Sequence, residues 1–457
     1  MTEIAGSSKD CIFIGFLKSL SSSERHLLLS KSSSAFFVFR MIPPVVQQVV
    51  VQLIWNSNSA SQHLQETVEL KEGLQLLKDL NIVTADEKIE QSFRRAYLRA
   101  VMNGSIRCSS LRVEDVDEKK RIKDVAKKSL ERWDCILRYL ALPSEQNMTN
   151  VSSTTKSLFN SAGYTSGDGE RDIEITSTGF QFLLLNPVQQ LWLYIIEYLK
   201  LEIKNRINVI ELLELLIEVI LCANKGFEPG KDAYALEDNW TERQQALIAH
   251  LRELGVISIR KTRDGVFFLT PLIAHLATNE NMAATEAATS EKPASGGIIV
   301  ETNFRLYAYT SSPLQLAILS TFTEMTYRFN DMSVGMLTRE SVRRALQVGV
   351  TAAQIISFLR TNAHAQCLAS GGPLNCLPIT VSDQIRLWED ERKRMNITDS
   401  IMYSVFEGEN EFTGVRDYAA REGVLLWADS NQKLVIVTEE GHELVRQWWK
   451  ANKRANQ

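Results

Sequence analysis

One pattern recurs three times in this chain and limits the folds open to it more than any other part of the sequence. Each copy runs helix, glycine, strand, polar turn, strand and threonine, and the copies cover residues 157–176, 247–270 and 415–438. Gly163, Gly255 and Gly423 stand where a helix C-terminus requires left-handed backbone. A looser fourth copy covers residues 73–89. Because a helix followed by a two-stranded wing ends a winged-helix module, the pattern predicts such modules.

Residues 298–329 predict a hairpin followed by an amphipathic helix. Two β-branched and aromatic runs, 298–300 and 305–309, flank Thr302-Asn303, which predicts a tight turn. Pro313 then opens a helix whose apolar positions recur every three or four residues: Leu314, Ala317, Ile318, Thr321, Phe322, Met325 and Phe329.

Both faces of this hairpin need cover, because an isolated hairpin is marginally stable. Tyr307 and Tyr309 lie on one face, and Leu306 and Ala308 lie on the other. The following helix can cover one face. The other is covered either by the rest of the domain or by a partner, and the hairpin sequence alone leaves both open.

Composition narrows the class of protein. The chain has 457 residues, 44% of them hydrophobic and 23% charged, which predicts a globular protein of three or four domains. A net charge of −4 excludes a generally basic protein that coats nucleic acid. The overall fold class that we predict is α+β and mostly helical.

No pattern of catalytic or metal-binding residues occurs in the sequence. Residues 226–232 resemble a nucleotide-binding loop but have one residue too few between the glycines, and Asp232 replaces the required Ser or Thr. The six cysteines have no metal-ligand spacing and predict reduced thiols. We therefore predict no enzymatic activity, no cofactor and no metal.

One short segment could contact DNA. The turn of the second repeat contains Arg260, Lys261 and Arg263, whereas the helix before it has balanced charges. Few phosphates could be neutralised by such a surface, so any DNA contact should be weak.

Five regions follow from these patterns. We predict a helical N-terminal domain with a possible winged helix (1–145), winged-helix modules (146–276), a flexible linker (277–297), a hairpin-plus-helices docking domain (298–395) and a C-terminal domain (396–457). The last region has the order βαββα, which is not that of a winged helix, so its repeat is local similarity only. Its load of tryptophan, at Trp427, Trp448 and Trp449, predicts an apolar surface that needs a partner.

Dispersed blocks resemble the mid-sized core subunit family of the transcription and DNA-repair factor TFIIH. The blocks cover residues 35–44, 131–137, 177–185, 190–199, 230–234, 300–312, 338–346, 351–364 and 379–392, in one order through nearly the whole chain. The resemblance implies a nuclear, non-enzymatic subunit that recruits and stimulates the XPB-type ATPase in transcription initiation and nucleotide excision repair. The alternative is a stand-alone winged-helix regulator that binds DNA.

The resemblance also implies two docking sites for partner subunits. The central domain pairs with the XPB-type helicase in that family, and we assign this contact to Ile299, Phe304, Leu306, Tyr307 and Tyr309. The C-terminal domain pairs there with the smallest TFIIH subunit. We assign that second contact to Tyr403, Val405, Leu425, Trp427, Val435 and Trp448.

Overall fold

A computed structural model describes most of the chain. The described residues are 12–55, 68–86, 88–102, 111, 113–114, 124–142, 151–166, 174–205, 207–223, 230–237, 239–260, 264–277, 297–394, 399–406 and 408–455. Most of the predicted linker, residues 278–296, lies outside them, as do Lys261 and Arg263. The chain forms two compact units, residues 1–389 and 390–457. The division of the first unit into the modules named above stays a prediction.

The N-terminal part of the first unit is helical. Its helices are α1 (Ile12–Ser19), α2 (Ser22–Leu29), α3 (Ser32–Met41), α4 (Pro44–Trp55), α5 (Val68–Asp79) and α6 (Gln91–Met102). Ser21 and Glu24 form a capping box that fixes the start of α2. Phe13 and Phe37 pack around Trp192 from a later helix, so this part shares one core with the residues that follow.

The middle of the first unit combines helices with short strands. Its elements are β1 (Val113–Glu114), α7 (Val125–Ala141), α8 (Ser153–Ser161), β2 (Thr165–Ser166), β3 (Glu174–Ile175), α9 (Ser177–Leu183), α10 (Pro187–Lys204), α11 (Val209–Ala223), β4 (Ala233–Ala235), α12 (Glu242–Leu254), β5 (Ile257–Ser258), β6 (Val266–Leu269) and α13 (Ala274–Ala277). The core helices α10 and α11 are buried along most of their length. No helix in the described ranges is both long enough and apolar enough to cross a membrane.

The predicted repeat has the same backbone bonding in each copy. Gly163, Gly255 and Gly423 are left-handed, with φ of 72°, 80° and 71°, and Asn81 takes this position in the fourth copy with φ of 59°. In every copy a residue at the end of the second extended segment donates its backbone N–H to the carbonyl of the residue that follows the left-handed position. These pairs are Thr176 to Tyr164, Thr270 to Val256, Thr438 to Val424 and Glu90 to Ile82. Each copy therefore ends its helix in the same way and returns its second strand to that point.

The last part of the first unit is a four-stranded antiparallel sheet with helices. Its elements are β7 (Gly297–Val300), β8 (Arg305–Tyr309), α14 (Pro313–Phe322), β9 (Glu324–Arg328), β10 (Ser333–Met336), α15 (Arg339–Gln347), α16 (Ala352–Thr361), α17 (Ala365–Asn375) and α18 (Ile379–Lys393), with strand order β7-β8-β10-β9. The predicted hairpin is confirmed: Val300 pairs with Leu306, and Phe304 is left-handed in the turn.

The predicted helix from Pro313 to Phe329 is wrong beyond Phe322. Thr323 is extended, and its hydroxyl donates to the carbonyl of Leu319, which ends the helix. The next residues form strand β9, because Met325, Tyr327 and Phe329 alternate with polar residues and Thr326 is β-branched. The apolar positions that fit a helix of period 3.6 also fit a strand of period two.

The second unit has the predicted order βαββα. Its elements are β11 (Ser400–Tyr403), α19 (Glu409–Arg421), β12 (Leu425–Asp429), β13 (Leu434–Thr438) and α20 (Glu439–Ala455), and the strand order is β11-β13-β12. Phe412, Val415, Val437 and Val445 join the two helices to one face of the sheet. The predicted α+β, mostly helical class is confirmed for the chain as a whole.

Candidate docking surfaces

The sheet of the first unit presents a row of large side chains across all four strands. Ile299 pairs with Tyr307, Tyr307 with Val334, and Val334 with Tyr327. Residues directly opposite each other in an antiparallel sheet project from the same face. The four side chains therefore lie side by side on one face, which we call the central face.

Aromatic and charged residues extend the central face in the two strand directions. On one side, Tyr309 follows Tyr307 on β8 and lies 5.5 Å from the ring of His364, while Phe329 stacks on Tyr327 at 6.5 Å. On the other side, the paired residues Arg305, Met336 and Glu324 form a mostly charged row. An apolar area with a charged margin is the usual composition of a protein–protein interface.

Exposure differs strongly along the central face. Tyr327 is 62% exposed and Phe329 is 57% exposed, whereas Ile299, Tyr307 and Tyr309 are half-buried and Val334 is buried. The most accessible aromatic rings of this face thus lie on β9 and at the residue after it, at the edge of the sheet. Aromatic rings left in water over such an area are typical of a surface that a partner covers.

The five residues that we assigned to helicase docking separate into three groups. Ile299, Tyr307 and Tyr309 lie on the central face. Phe304 lies at the hairpin turn, where its ring is 5.9 Å from that of Trp388. Leu306 projects from the opposite face and is 0% exposed, so it belongs to the core and cannot contact a partner while the domain is folded.

Sequence reasoning missed the contribution of β9 and β10 to the central face. Tyr327 and Phe329 lie in a segment for which the sequence predicts the end of a helix, and Val334 and Met336 lie on β10, for which the sequence patterns above make no prediction. The alternation of Met325, Tyr327 and Phe329 before the polar turn at 330–331 was the signal that could have identified it.

A second apolar face occurs in the C-terminal unit. Met402 pairs with Ile436, and Ile436 pairs with Trp427, so the three side chains form a row across the sheet on the side that the helices do not cover. Met402 is 58% exposed and Trp427 is 51% exposed, and Leu426 lies in a bulge beside them. We call this surface the C-terminal face.

Only part of the assigned small-subunit site lies on the C-terminal face. Trp427 lies on it, and Val405 is exposed beyond the end of β11. Val435 is fully buried in the core of the unit, so its side chain is not available to a partner. Leu425 is partly buried and packs against that core, and its contact with a partner stays a prediction.

Tyr403 and Trp448, the remaining assigned residues, make contacts within the C-terminal unit. The Tyr403 hydroxyl is 2.8 Å from His442 Nδ1, and burial raises the pKa of this tyrosine. Trp448 stacks on Tyr418 at 4.8 Å. Most of the tryptophan surface that we expected to need a partner is therefore covered by the unit itself, apart from Trp427.

Of the three candidate DNA-contact residues, the structure describes one. Arg260 is exposed at the end of β5, while Lys261 and Arg263 lie outside the described residues. In the preceding helix, Arg243 lies 4.0 Å from Glu202. This geometry leaves the DNA contact a prediction.

A buried polar cluster joins three helices of the repeat region. The Glu253 carboxylate accepts hydrogen bonds from the Ser152 backbone N–H at 2.9 Å, the Ser152 hydroxyl at 2.7 Å and the Thr155 hydroxyl at 3.1 Å. Burial by itself would raise the pKa of Glu253, but the interactions with His250 and Ser152 lower it to about 2. This arrangement anchors the N-terminus of α8, because a carboxylate there stabilises the helix dipole.

Metal-binding geometry is absent from the part of the chain that the structure describes. No group of three or more His, Cys, Asp or Glu side chains there could hold a metal ion.

Comparison with known proteins assigns the chain to a protein family. The family model described as "Transcription factor Tfb2" matches residues 15–365. A second family model, described as "Transcription factor Tfb2 (p52) C-terminal domain", matches residues 383–450. Together the two matches cover both docking surfaces.

Relatives of the chain occur in fungi, a plant and an amoeba. General transcription and DNA repair factor IIH subunit TFB2 of Kluyveromyces lactis is 28% identical, over 96% of this chain and 97% of the relative. The Arabidopsis thaliana protein of the same name is 27% identical, over 90% and 91%. General transcription factor IIH subunit 4 of Dictyostelium discoideum is 33% identical, over 74% of this chain and 69% of the relative.

Proposed function

The chain belongs to the Tfb2 family of transcription factors, and from this premise we propose that it is a non-enzymatic TFIIH subunit that binds and stimulates the XPB-type ATPase. Its relatives are named as subunits of the general transcription and DNA repair factor IIH. We therefore propose a nuclear protein that acts in transcription initiation and nucleotide excision repair, with other TFIIH subunits as its partners.

The observation that carries the proposal is the central face. Its aromatic side chains are supported from below by a packed sheet, since Ile298, Val300, Leu306 and Ala308 are buried on the opposite side. Rigid, partly exposed tyrosines lose little conformational entropy on binding, and such residues dominate the binding energy of many interfaces. The ATPase subunit is the partner that we assign to this face.

Stimulation would follow from tethering and positioning. A subunit that holds one lobe of the ATPase can raise the population of its active conformation only by binding that conformation more tightly. We propose that the docking domain can hold such a lobe firmly, because it is itself packed against the preceding part of the first unit. Helix α14 packs on α7, and Gln181 Nε2 donates to the Gly349 carbonyl at 2.6 Å. We propose that the C-terminal face binds the smallest TFIIH subunit in the same assembly.

Replacing Tyr307 and Tyr327 together by alanine tests the assignment. Because both rings lie on the central face, we expect the double variant to lose roughly 2–4 kcal/mol of affinity for the ATPase subunit while its thermal unfolding changes little. Titration of the labelled ATPase subunit with the purified full chain measures the affinity. ATP hydrolysis at saturating concentrations of the chain then measures stimulation separately from binding.

Trp55→Ala is the matched control, since Trp55 is an exposed aromatic residue on α4, far from β7–β10 in sequence. We expect it to bind like the unmodified chain. If the double variant and the control bound the ATPase subunit with equal affinity, the interface would lie outside the central face. A large fall in the unfolding temperature of the double variant would instead show that the tyrosines serve the core.

A further inference from the structure

We propose that the free edge of β9 and the cavity beside it bind an extended peptide segment that carries acidic and basic side chains on the same face. This site uses the edge of the sheet and helix α15 and meets the charged margin of the central face at Glu324, whereas the proposed ATPase contact uses the aromatic part of that face. It does not depend on which subunit covers that face.

Strand β9 is the open edge of the sheet. It stands last in the order β7-β8-β10-β9. The opposite edge is covered, because Ile298 donates its N–H to Asn362 and accepts from the His364 N–H. Within residues 297–394, β9 therefore offers the sheet edge to which another strand can add by backbone hydrogen bonds.

An open cavity lined mainly by charged residues lies where β9 begins. It has a volume of roughly 340 Å³ and is lined by Glu324 of β9 and by Glu340, Arg343, Arg344 and Gln347 of α15. The four charged side chains are exposed, and none of them forms a hydrogen bond or ion pair with another residue in the described ranges. Two carboxylates and two guanidinium groups are thus held together without partners.

The charges of the cavity define the ligand. An added strand places every second side chain on one side, about 7 Å apart, so neighbouring side chains on that side can enter the same cavity. A carboxylate would contact Arg343 and Arg344, and an ammonium or guanidinium group would contact Glu324 and Glu340. Such complementarity selects a partner by charge as well as by backbone pairing.

The edge also has features that oppose indiscriminate pairing. The register between β9 and β10 shifts at Val334/Gly335, so Thr326 is an extra residue on β9. Bulges and charged residues on an edge strand weaken its pairing with unrelated strands. We therefore expect the side chains that enter the cavity to decide which peptides bind.

Fluorescence polarisation with the full chain and three labelled synthetic peptides tests the site. Each peptide has about ten residues with Val and Thr on one face of the strand, and the other face carries Glu and Lys in alternation, only Glu, or only Lys. We expect the mixed peptide to bind about tenfold or more tightly than either single-sign peptide. N-methylation of alternate amides in the mixed peptide should abolish binding, because it blocks backbone pairing.

Variants that reverse the charges of the cavity residues test whether the peptide binds beside them. We expect both Arg343→Glu/Arg344→Glu and Glu324→Lys/Glu340→Lys to weaken binding of the mixed peptide by about tenfold. Arg95→Glu/Arg99→Glu is the matched control, because these two exposed arginines also lie on one helix, α6, and should leave binding unchanged.

Four results of the peptide experiments would overturn the proposal. They are no binding of any peptide, equal binding of all three peptides, insensitivity to N-methylation, and equal effects of the cavity and control variants. A dimer of the chain that Arg328→Glu disrupts would also overturn it, since Glu324 and Arg328 of two copies would face each other across an antiparallel β9 pair.

Discussion

At the scale of single residues, Glu253 shows how one partly buried carboxylate can fix several helices. It lies on α12 and accepts hydrogen bonds from Ser152 and Thr155 at the start of α8. The Thr155 hydroxyl is 2.7 Å from that of Tyr194 on α10, and His250 stacks on the same tyrosine ring at 5.5 Å. Loss of the charge would weaken several hydrogen bonds in a partly buried site, which is why we expect a large effect.

Glu253→Gln should destabilise the chain near neutral pH and have less effect in acid. The pKa of Glu253 is about 2 in the folded protein, below its ordinary value of 4.5. A lowered folded pKa stabilises the fold fully above the unfolded value, and this contribution is lost as the pH falls from about 4.5 to about 2. We expect a difference of roughly 2–3 kcal/mol at pH 7 that narrows below pH 4.5.

Urea unfolding at a series of pH values measures this difference. Glu131→Gln on α7 is the control, because Glu131 is exposed. It should follow the unmodified chain at every pH. A Glu253→Gln penalty that stayed constant down to pH 3 would show that shape and packing, rather than charge, make Glu253 important.

At the scale of elements, the sequence predicted best where local backbone chemistry decides the structure. The three glycines of the repeat have left-handed backbone, because a residue without a side chain ends a helix there with least strain. The hairpin of β7 and β8 was also predictable from its alternation and its polar turn. In both cases neighbouring residues carry the necessary information.

The residues that form the docking surfaces were harder to identify, because exposure depends on strands distant in sequence. Leu306 and Tyr307 are both apolar neighbours on β8, and only the pairing of β8 with β10 and the position of the helices decide which one is buried. Val435 and Trp427 in the C-terminal unit differ for the same reason. Periodicity identifies the two faces of a strand but does not tell which face is covered.

Gly255→Ala should destabilise the second repeat far more than Gly265→Ala. Both glycines have positive φ, but a Cβ at Gly255 would lie 2.6 Å from the Ser129 carbonyl oxygen, whereas a Cβ at Gly265 would meet no atom within 4 Å. Gly265→Ala should therefore lose only about 1–2 kcal/mol through backbone strain. Gly255→Ala adds a backbone clash between α12 and α7, and we expect roughly 3 kcal/mol or more in total.

Chemical denaturation of the two variants gives the comparison directly. If the two variants lost the same free energy of unfolding, α7 would be able to move away freely from the end of α12. The packing of the repeat against α7 would then contribute little to the stability of this region.

At the scale of the whole molecule, each of the two compact units has one apolar sheet face. The central face belongs to residues 297–336 and the C-terminal face to residues 400–438. Two binding surfaces on one chain raise the effective concentration of each partner near the other, without any direct contact between the partners. A scaffold of this kind needs no catalytic groups, and each surface can be tested by itself.

Removal of residues 396–457 should release the smallest TFIIH subunit and leave the ATPase bound. The deletion takes away the C-terminal face but spares the central sheet and the whole of α18, which ends at Lys393. A unit of about 60 residues has a small core, so exposed Met402 and Trp427 are a substantial apolar area to leave in water. Co-purification of the truncated chain with both partners measures the separation.

Point variants distinguish loss of the surface from loss of the unit. Trp427→Asp should release the small subunit, because it places a charge in the apolar row of the C-terminal face. Leu444→Asp should not, because Leu444 is similarly exposed but lies on α20. Release of the ATPase by the deletion, with the small subunit retained, would reverse the two assignments. If both variants kept the small subunit and only the deletion released it, the contact would lie on the unit but away from its sheet.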